Sequence, residues 1–205
     1  MLEDEVLDNE VPDDAEPEGA APDADALPPP IPIGELLTRR EAVATLVVSV
    51  ALVVGSFVRY GAGTHAVVGA ILGPVLVLLS AIDLRHRLLP NIIVGPAAAV
   101  IAVVVAVGEW HHVGAHLAAG AIAGGILFVL AIANPRGMGM GDAKLAFLIG
   151  IALASRTIAA MVYTSGALIV LAIGLVVVRG RSGLKATIPF GPLLALGAVI
   201  AYFTQ

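Results

Sequence analysis

The sequence predicts an all-α membrane protein, a polytopic bundle of about six to seven transmembrane helices with a short helix after a glycine-rich turn. Three observations carry this prediction. The 205 residues are 59% hydrophobic with a mean hydropathy of +0.98, and only 13% are charged, where a soluble domain is about a quarter charged. The apolar residues come in long runs parted by short breaks. Finally, 13 of the 16 acids fall in the first 41 residues, leaving Asp83, Glu109 and Asp142 in all the rest. Runs of this kind fold as helices, because lipid offers an open backbone no hydrogen-bond partners.

Residues 1–41 form a block of their own, with 7 of the 13 prolines as well as most of the acids. High charge with few large apolar side chains cannot bury enough surface to offset chain entropy, so a disordered acidic tail is expected, with a short polyproline stretch at 27–32. The start is acidic rather than basic and has no apolar core, so no cleaved leader is expected. Residues 42–205 form the membrane domain. Cysteine is absent, which excludes disulfides, thiolate zinc sites and thiol nucleophiles.

Within the membrane domain the runs at 42–58, 66–82, 92–107, 113–133, 143–154, 158–178 and 188–203 read as spans. Most approach the roughly 17 to 25 residues that cross a hydrocarbon core. The run at 143–154 does not. At about 1.5 Å per residue it covers only about 18 Å, so either the bilayer thins there or the turn at 137–142 enters the membrane sheltered by protein. Gly69 and Gly73, and Gly120 and Gly124, recur at the four-residue spacing that lets helices approach closely.

A seven-span arrangement sorts the basic residues unevenly. Arg39, Arg40, Arg85, Arg87, Arg136, Lys144, Arg179, Arg181 and Lys185 fall on one side and Arg59 and Arg156 on the other. The positive-inside rule makes the first side cytoplasmic, with the N-terminus inside. Asp83 then ends the second span on that side, and Asp142 begins the fifth span there too. A charged carboxylate at membrane depth costs a few kcal/mol or more and is commonly kept for a function. Two that face each other can share one proton and act together as acid and base on a water. The plain alternatives are that Asp142 caps a helix start and that Asp83 pairs with Arg85 or Arg87. Gly137, Gly139 and Gly141 alternate just before Asp142, giving a backbone open to positive φ and to close approach by another chain.

Asp83 with Pro90 and Asn91, together with Gly139-Met140-Gly141-Asp142-Ala143-Lys144, resembles the two-motif signature of type IV prepilin peptidases, intramembrane aspartic proteases of the Gly-x-Gly-Asp type. A third stretch around Pro189, Phe190, Gly191 and Pro192 resembles the family's closing segment, and the likeness runs from about residue 66 to 203. The resemblance implies that Asp83 and Asp142 are the catalytic pair, that Gly139 and Gly141 supply the active-site turn with Pro189 and Gly191 near it, and that Lys144 is an accompanying base. It also implies pilin-like precursors as substrates, losing a short basic leader at the cytoplasmic face of a prokaryotic inner membrane. The cysteine-bearing insertion found in many members has no counterpart here, so methyltransferase activity is not expected. No metal, other cofactor or nucleic-acid partner is expected.

His111, His112 and His116 gather with Glu109 and Trp110 on the opposite side. A surface loop with an interfacial tryptophan accounts for them, with a metal pair at His112 and His116 as the alternative. Two other functions use the same chain differently. A transporter could carry protons or cations on Asp83 and Asp142, although no inverted repeat is evident, and an assembly factor for a secretion apparatus would work through the acidic tail.

Overall fold

In the computed structural model of the protein, residues 37–87, 89–134, 138–180 and 189–204 are described. They form seven α-helices: α1 Arg39–Tyr60, α2 Thr64–His86, α3 Asn91–Gly108, α4 Val113–Ala133, α5 Met140–Leu153, α6 Thr157–Arg179 and α7 Phe190–Thr204. Short 3-10 turns at Trp110–His112 and Ala154–Arg156 lead into α4 and α6. The described residues contain no strand, and the chain is a polytopic helical membrane protein, with α1 to α4 each long and apolar enough to cross a bilayer.

The first helix starts earlier than its apolar run. Thr38 and Glu41 close a capping box, the Glu41 N–H donating to Thr38 Oγ1 at 3.4 Å and the Thr38 N–H donating to Glu41 Oε2 at 2.8 Å. Arg39 to Glu41 therefore belong to α1, satisfying backbone donors that a helix start otherwise leaves open. The rest of the expected tail, residues 1–36, lies outside the described residues. So do Gly137, Arg136, Arg181 and Lys185.

The helices differ sharply in how much of themselves they hide. α1 is almost wholly exposed along its span, whereas α2 is central and α5 is enclosed. From Asp142 to Leu153 every residue of α5 except Lys144 and Phe147 is buried. α5 packs chiefly on α4, then on α3 and α7, with α2 also touching it. Its 14 residues span about 21 Å, against about 34 Å for the 23 residues of α2. The fifth helix is thus as short as the sequence implies, and protein surrounds it.

The recurring small residues supply this packing. A Cβ placed on Gly120 would lie 3.0 Å from the Phe147 carbonyl oxygen, and one on Gly124 would lie 2.8 Å from Phe147 Cβ. Gly73 is seated equally tightly against Leu52 of α1. Association of helices in lipid depends on such close contact, since lipid tails are as apolar as the side chains themselves. The outer faces need no cover. Val58, Val107 and Val178 are each more than 80% exposed, a surface that would invite aggregation in water and is at home in hydrocarbon.

Hydrogen bonds sort the helix ends into two groups. At one end Arg85 Nη1 donates to Glu41 Oε2 at 2.9 Å and Lys144 Nζ donates to Asn91 Oδ1 at 2.7 Å, joining the end of α2 to the start of α1 and the start of α5 to the start of α3. At the other end the Tyr60 hydroxyl donates to the Tyr202 carbonyl, Tyr202 donates to the His65 carbonyl at 2.9 Å, and Arg156 Nη1 donates to the Tyr60 hydroxyl at 3.0 Å. The chain therefore alternates in direction with each helix.

Candidate active site

Asp83 lies in the last turn of α2, and a carboxylate there opposes the helix dipole by about 0.3 to 1 kcal/mol. It is not placed for the stability of its own helix. Its side chain is 8% exposed and turns to the start of α7, where the backbone N–H of Gly191 donates to it. That N–H is one of the donors a helix start leaves unpaired. The contact is close enough to require glycine, because a Cβ on residue 191 would lie 2.7 Å from Asp83 Oδ2.

Asp142 is held differently. Gly139 is the N-cap of α5 and Asp142 is the third helical residue, so Asp142 does not cap the helix in the ordinary sense. Its carboxylate reaches back toward the Gly139 N–H, the same reverse contact that a glutamate makes in a capping box. With glycine at the cap there is no side chain to complete the box. Asp142 is 7% exposed, and its charge and that of Asp83 are near enough to act on each other.

The expected ion pair of Asp83 with Arg85 is not formed, since Arg85 turns to Glu41. Arg87 acts on Asp83 only at longer range. Among the described residues neither aspartate has a cationic side chain within ion-pair distance. Two buried carboxylates thus sit at one end of the bundle, each touched by a helix N-terminus.

Gly141 joins the two motifs. Past Arg87, the C-cap of α2, Leu89 lies against Gly141, and a Cβ on Gly141 would come 2.7 Å from Leu89 Cβ and 2.9 Å from its Cδ1. Among the described residues neither Gly139 nor Gly141 has positive φ; Gly139 is extended and Gly141 is helical. Close approach, rather than a left-handed turn, is what Gly141 supplies. Leu89 is the partner that spacing alone could not reveal.

Lys144 is exposed and bonded to Asn91, and it forms no ion pair with either carboxylate. Pro189 immediately precedes α7 and is half-buried. At the far end, His116 corrects the expectation of a surface loop. It is 5% exposed in the first turn of α4, its Nδ1 lies 2.6 Å from the Ile151 carbonyl oxygen and its Nε2 lies 3.4 Å from Glu109, which also meets His65 at 3.4 Å. His111, His112 and Trp110 are exposed as expected. No group of three or more metal-ligating side chains converges among the described residues.

Residues 70–178 match the family model described as the type IV leader peptidase family, a range that contains both aspartates and ends before Pro189. The prepilin leader peptidase/N-methyltransferase of Bacillus subtilis (strain 168) is 27% identical over 158 residues, which cover 76% of this chain and 62% of that protein. The chain thus spans less than two thirds of the length of the curated relative it matches. No solved structure matches it.

Proposed function

The chain belongs to the type IV leader peptidase family, and from that premise we propose that it is an intramembrane aspartic endopeptidase in which Asp83 and Asp142 cut the leader from pilin-like precursors. One observation carries the proposal: two buried aspartates from distant parts of the sequence lie at the same end of the bundle with no cationic neighbour in ion-pair range among the described residues. Such a pair holds one proton between its two members. The ionised member takes a proton from a water while the water oxygen adds to the scissile carbonyl carbon, and the protonated member donates to the carbonyl oxygen. As the carbon–nitrogen bond breaks, the departing amine takes up a proton from the pair, leaving a new carboxyl and a new amino terminus.

The N–H groups of Gly191 and Gly139 hold the two carboxylates without neutralising them, as a lysine or arginine would. Gly141 keeps the segment after Asp83 against the start of α5. Lys144 is better suited to the entrance, where it meets Asn91.

The direct test is co-expression with a pilin-like precursor. Shortening of the precursor by its leader, seen as a gel shift and located by N-terminal sequencing, is the expected result. A precursor of unchanged length beside abundant folded enzyme would remove the proposal.

The site faces the cytoplasm, supported by the gathering of Arg39, Arg40, Arg85, Arg87, Lys144 and Arg179 at that end. A single cysteine introduced as His86→Cys in this cysteine-free chain should be shielded from an impermeant thiol reagent added outside cells and react once the membrane is opened. Labelling from outside would invert the topology.

A further inference from the structure

The two aspartates are carried by helices of unequal length. From His65 to Asp83 α2 runs about 27 Å, whereas from Asp142 to Ile151 α5 runs only about 14 Å. The far end of α5 therefore stops short, and Ile151, Ala152 and Leu153 are all buried there. A helix end leaves its last four carbonyls without donors from its own turns, and a site shielded by protein and lipid has no bulk water to satisfy them. His116 of α4 meets this need, with its Nδ1 2.6 Å from the Ile151 carbonyl oxygen. A carbonyl only accepts, so Nδ1 carries the hydrogen and donates.

The other nitrogen of His116 leads back to α2. His116 Nε2 lies 3.4 Å from Glu109 Oε2, and Glu109 Oε1 lies 3.4 Å from His65 Nδ1 in the first turn of α2. Glu109 is itself the C-cap of α3, its N–H donating to the Val105 carbonyl at 2.7 Å. A line of polar groups thus runs from His65 through Glu109 and His116 to Ile151, in the gap that the shorter helix leaves. It joins the far end of the helix carrying Asp83 to the far end of the helix carrying Asp142. Tyr202 adds α7 to the same junction, donating to the His65 carbonyl at 2.9 Å, while the start of α7 presents the Gly191 N–H to Asp83.

Packing on α4 does not by itself fix the height of α5. Backbone meets backbone there, since a Cβ on Gly150 would run into the Gly120 backbone. Dispersion between such surfaces depends on separation, whereas a hydrogen bond demands a set distance and angle. Ala154, directly after α5, has φ +49° and ψ −120°, a conformation that a residue with a side chain keeps only where its surroundings hold it.

We propose that Glu109 and His116 are positioning residues for the reaction, setting the height of Asp142 against Asp83 by fixing the far end of α5 to that of α2. The inference rests on the peptidase reading above.

Two measurements test it. His116→Asn keeps an amide N–H where Nδ1 stands, and His116→Leu fills similar space without a donor. His116→Leu and Glu109→Ala should each lower kcat on a pilin-like precursor by about tenfold, because a small shift of a reacting group imposed from afar slows the reaction, with KM within about twofold of wild type. His116→Asn should recover most of that loss. Rates are compared well below the Tm of every variant, where a residue serving stability alone would leave kcat unchanged. Second, spin labels on Leu84→Cys and Met140→Cys, exposed positions beside the two aspartates in a cysteine-free chain, report the separation of the two helix ends without any reaction. Their distance distribution should shift or broaden with His116→Leu and return with His116→Asn. If the wild-type enzyme cleaves the precursor and His116→Leu matches its kcat, the inference is overturned. It is overturned as well if the label distances are the same in wild type and His116→Leu. A wild-type enzyme that cleaves nothing removes the peptidase reading instead, and the label distances then decide alone whether Glu109 and His116 set the two heights.

Discussion

Asp83→Asn and Asp142→Asn should each lower cleavage of a pilin-like precursor by about a thousandfold or more, while the protein still inserts and folds. The size of the effect follows from what a catalytic proton donor or acceptor commonly contributes, about 10² to 10⁴ in rate for one group, and from the fact that a paired group fails as a unit. An amide can neither accept the water's proton nor share one with the remaining carboxyl. Folding should survive because asparagine matches aspartate in shape and is easier to bury. Its side-chain oxygen can still accept from the Gly191 N–H at position 83 and from the Gly139 N–H at position 142. Initial rates of leader removal, with thermal stability in detergent measured alongside, separate lost chemistry from lost structure. A variant that kept a tenth of the wild-type rate would remove its residue from the reacting pair.

Gly141→Val is expected to reduce cleavage by about a hundredfold, since misplacing a reacting group by about 1 Å can have that effect, and to lower stability by about 1 to 3 kcal/mol, the usual range for overfilling a packed site. The valine Cβ would fall within 3 Å of the Leu89 side chain. Leu89 stands between Arg87, which caps the end of α2, and Asn91, which begins α3, so displacing it disturbs the segment that follows Asp83. Leu89→Ala in the valine background should restore part of the activity by making room. A turn that merely needed flexibility would gain nothing from that second change, and the paired comparison of initial rates decides between the two explanations.

The division of labour among the glycines shows where sequence reasoning succeeds and where it stops. That Asp83 and Asp142 reach one end of the bundle was legible from span counting, because each apolar run forces one crossing and reverses direction. The two glycine pairs at four-residue spacing were legible as packing for the same kind of reason. The Gly141 contact was not, since its partner lies 52 residues earlier and no local pattern marks Leu89. His116 was misplaced because its burial depends on the Ile151 carbonyl of another helix. The start of α1 was hidden by composition: Thr38 and Glu41 carry a recognisable cap, but Glu41 counted with the acidic block before it.

The shortness of α5 bears on the supply of water. A helix of about 21 Å stands inside a bundle whose long helices reach about 34 Å, with Asp142 in its first turn. The Lys144–Asn91 bond ties the start of α5 to the start of α3 at the aspartate end, while the Tyr60, Tyr202 and Arg156 bonds tie the helices together at the other. On the peptidase reading, water needs to reach only the aspartate end, and hydrolysis would proceed beside lipid without wetting the whole bundle. On that reading bilayer thickness becomes a kinetic variable: thicker hydrocarbon would bury the aspartate end more deeply and slow the reaction, and thinner hydrocarbon would bring it closer to the aqueous phase.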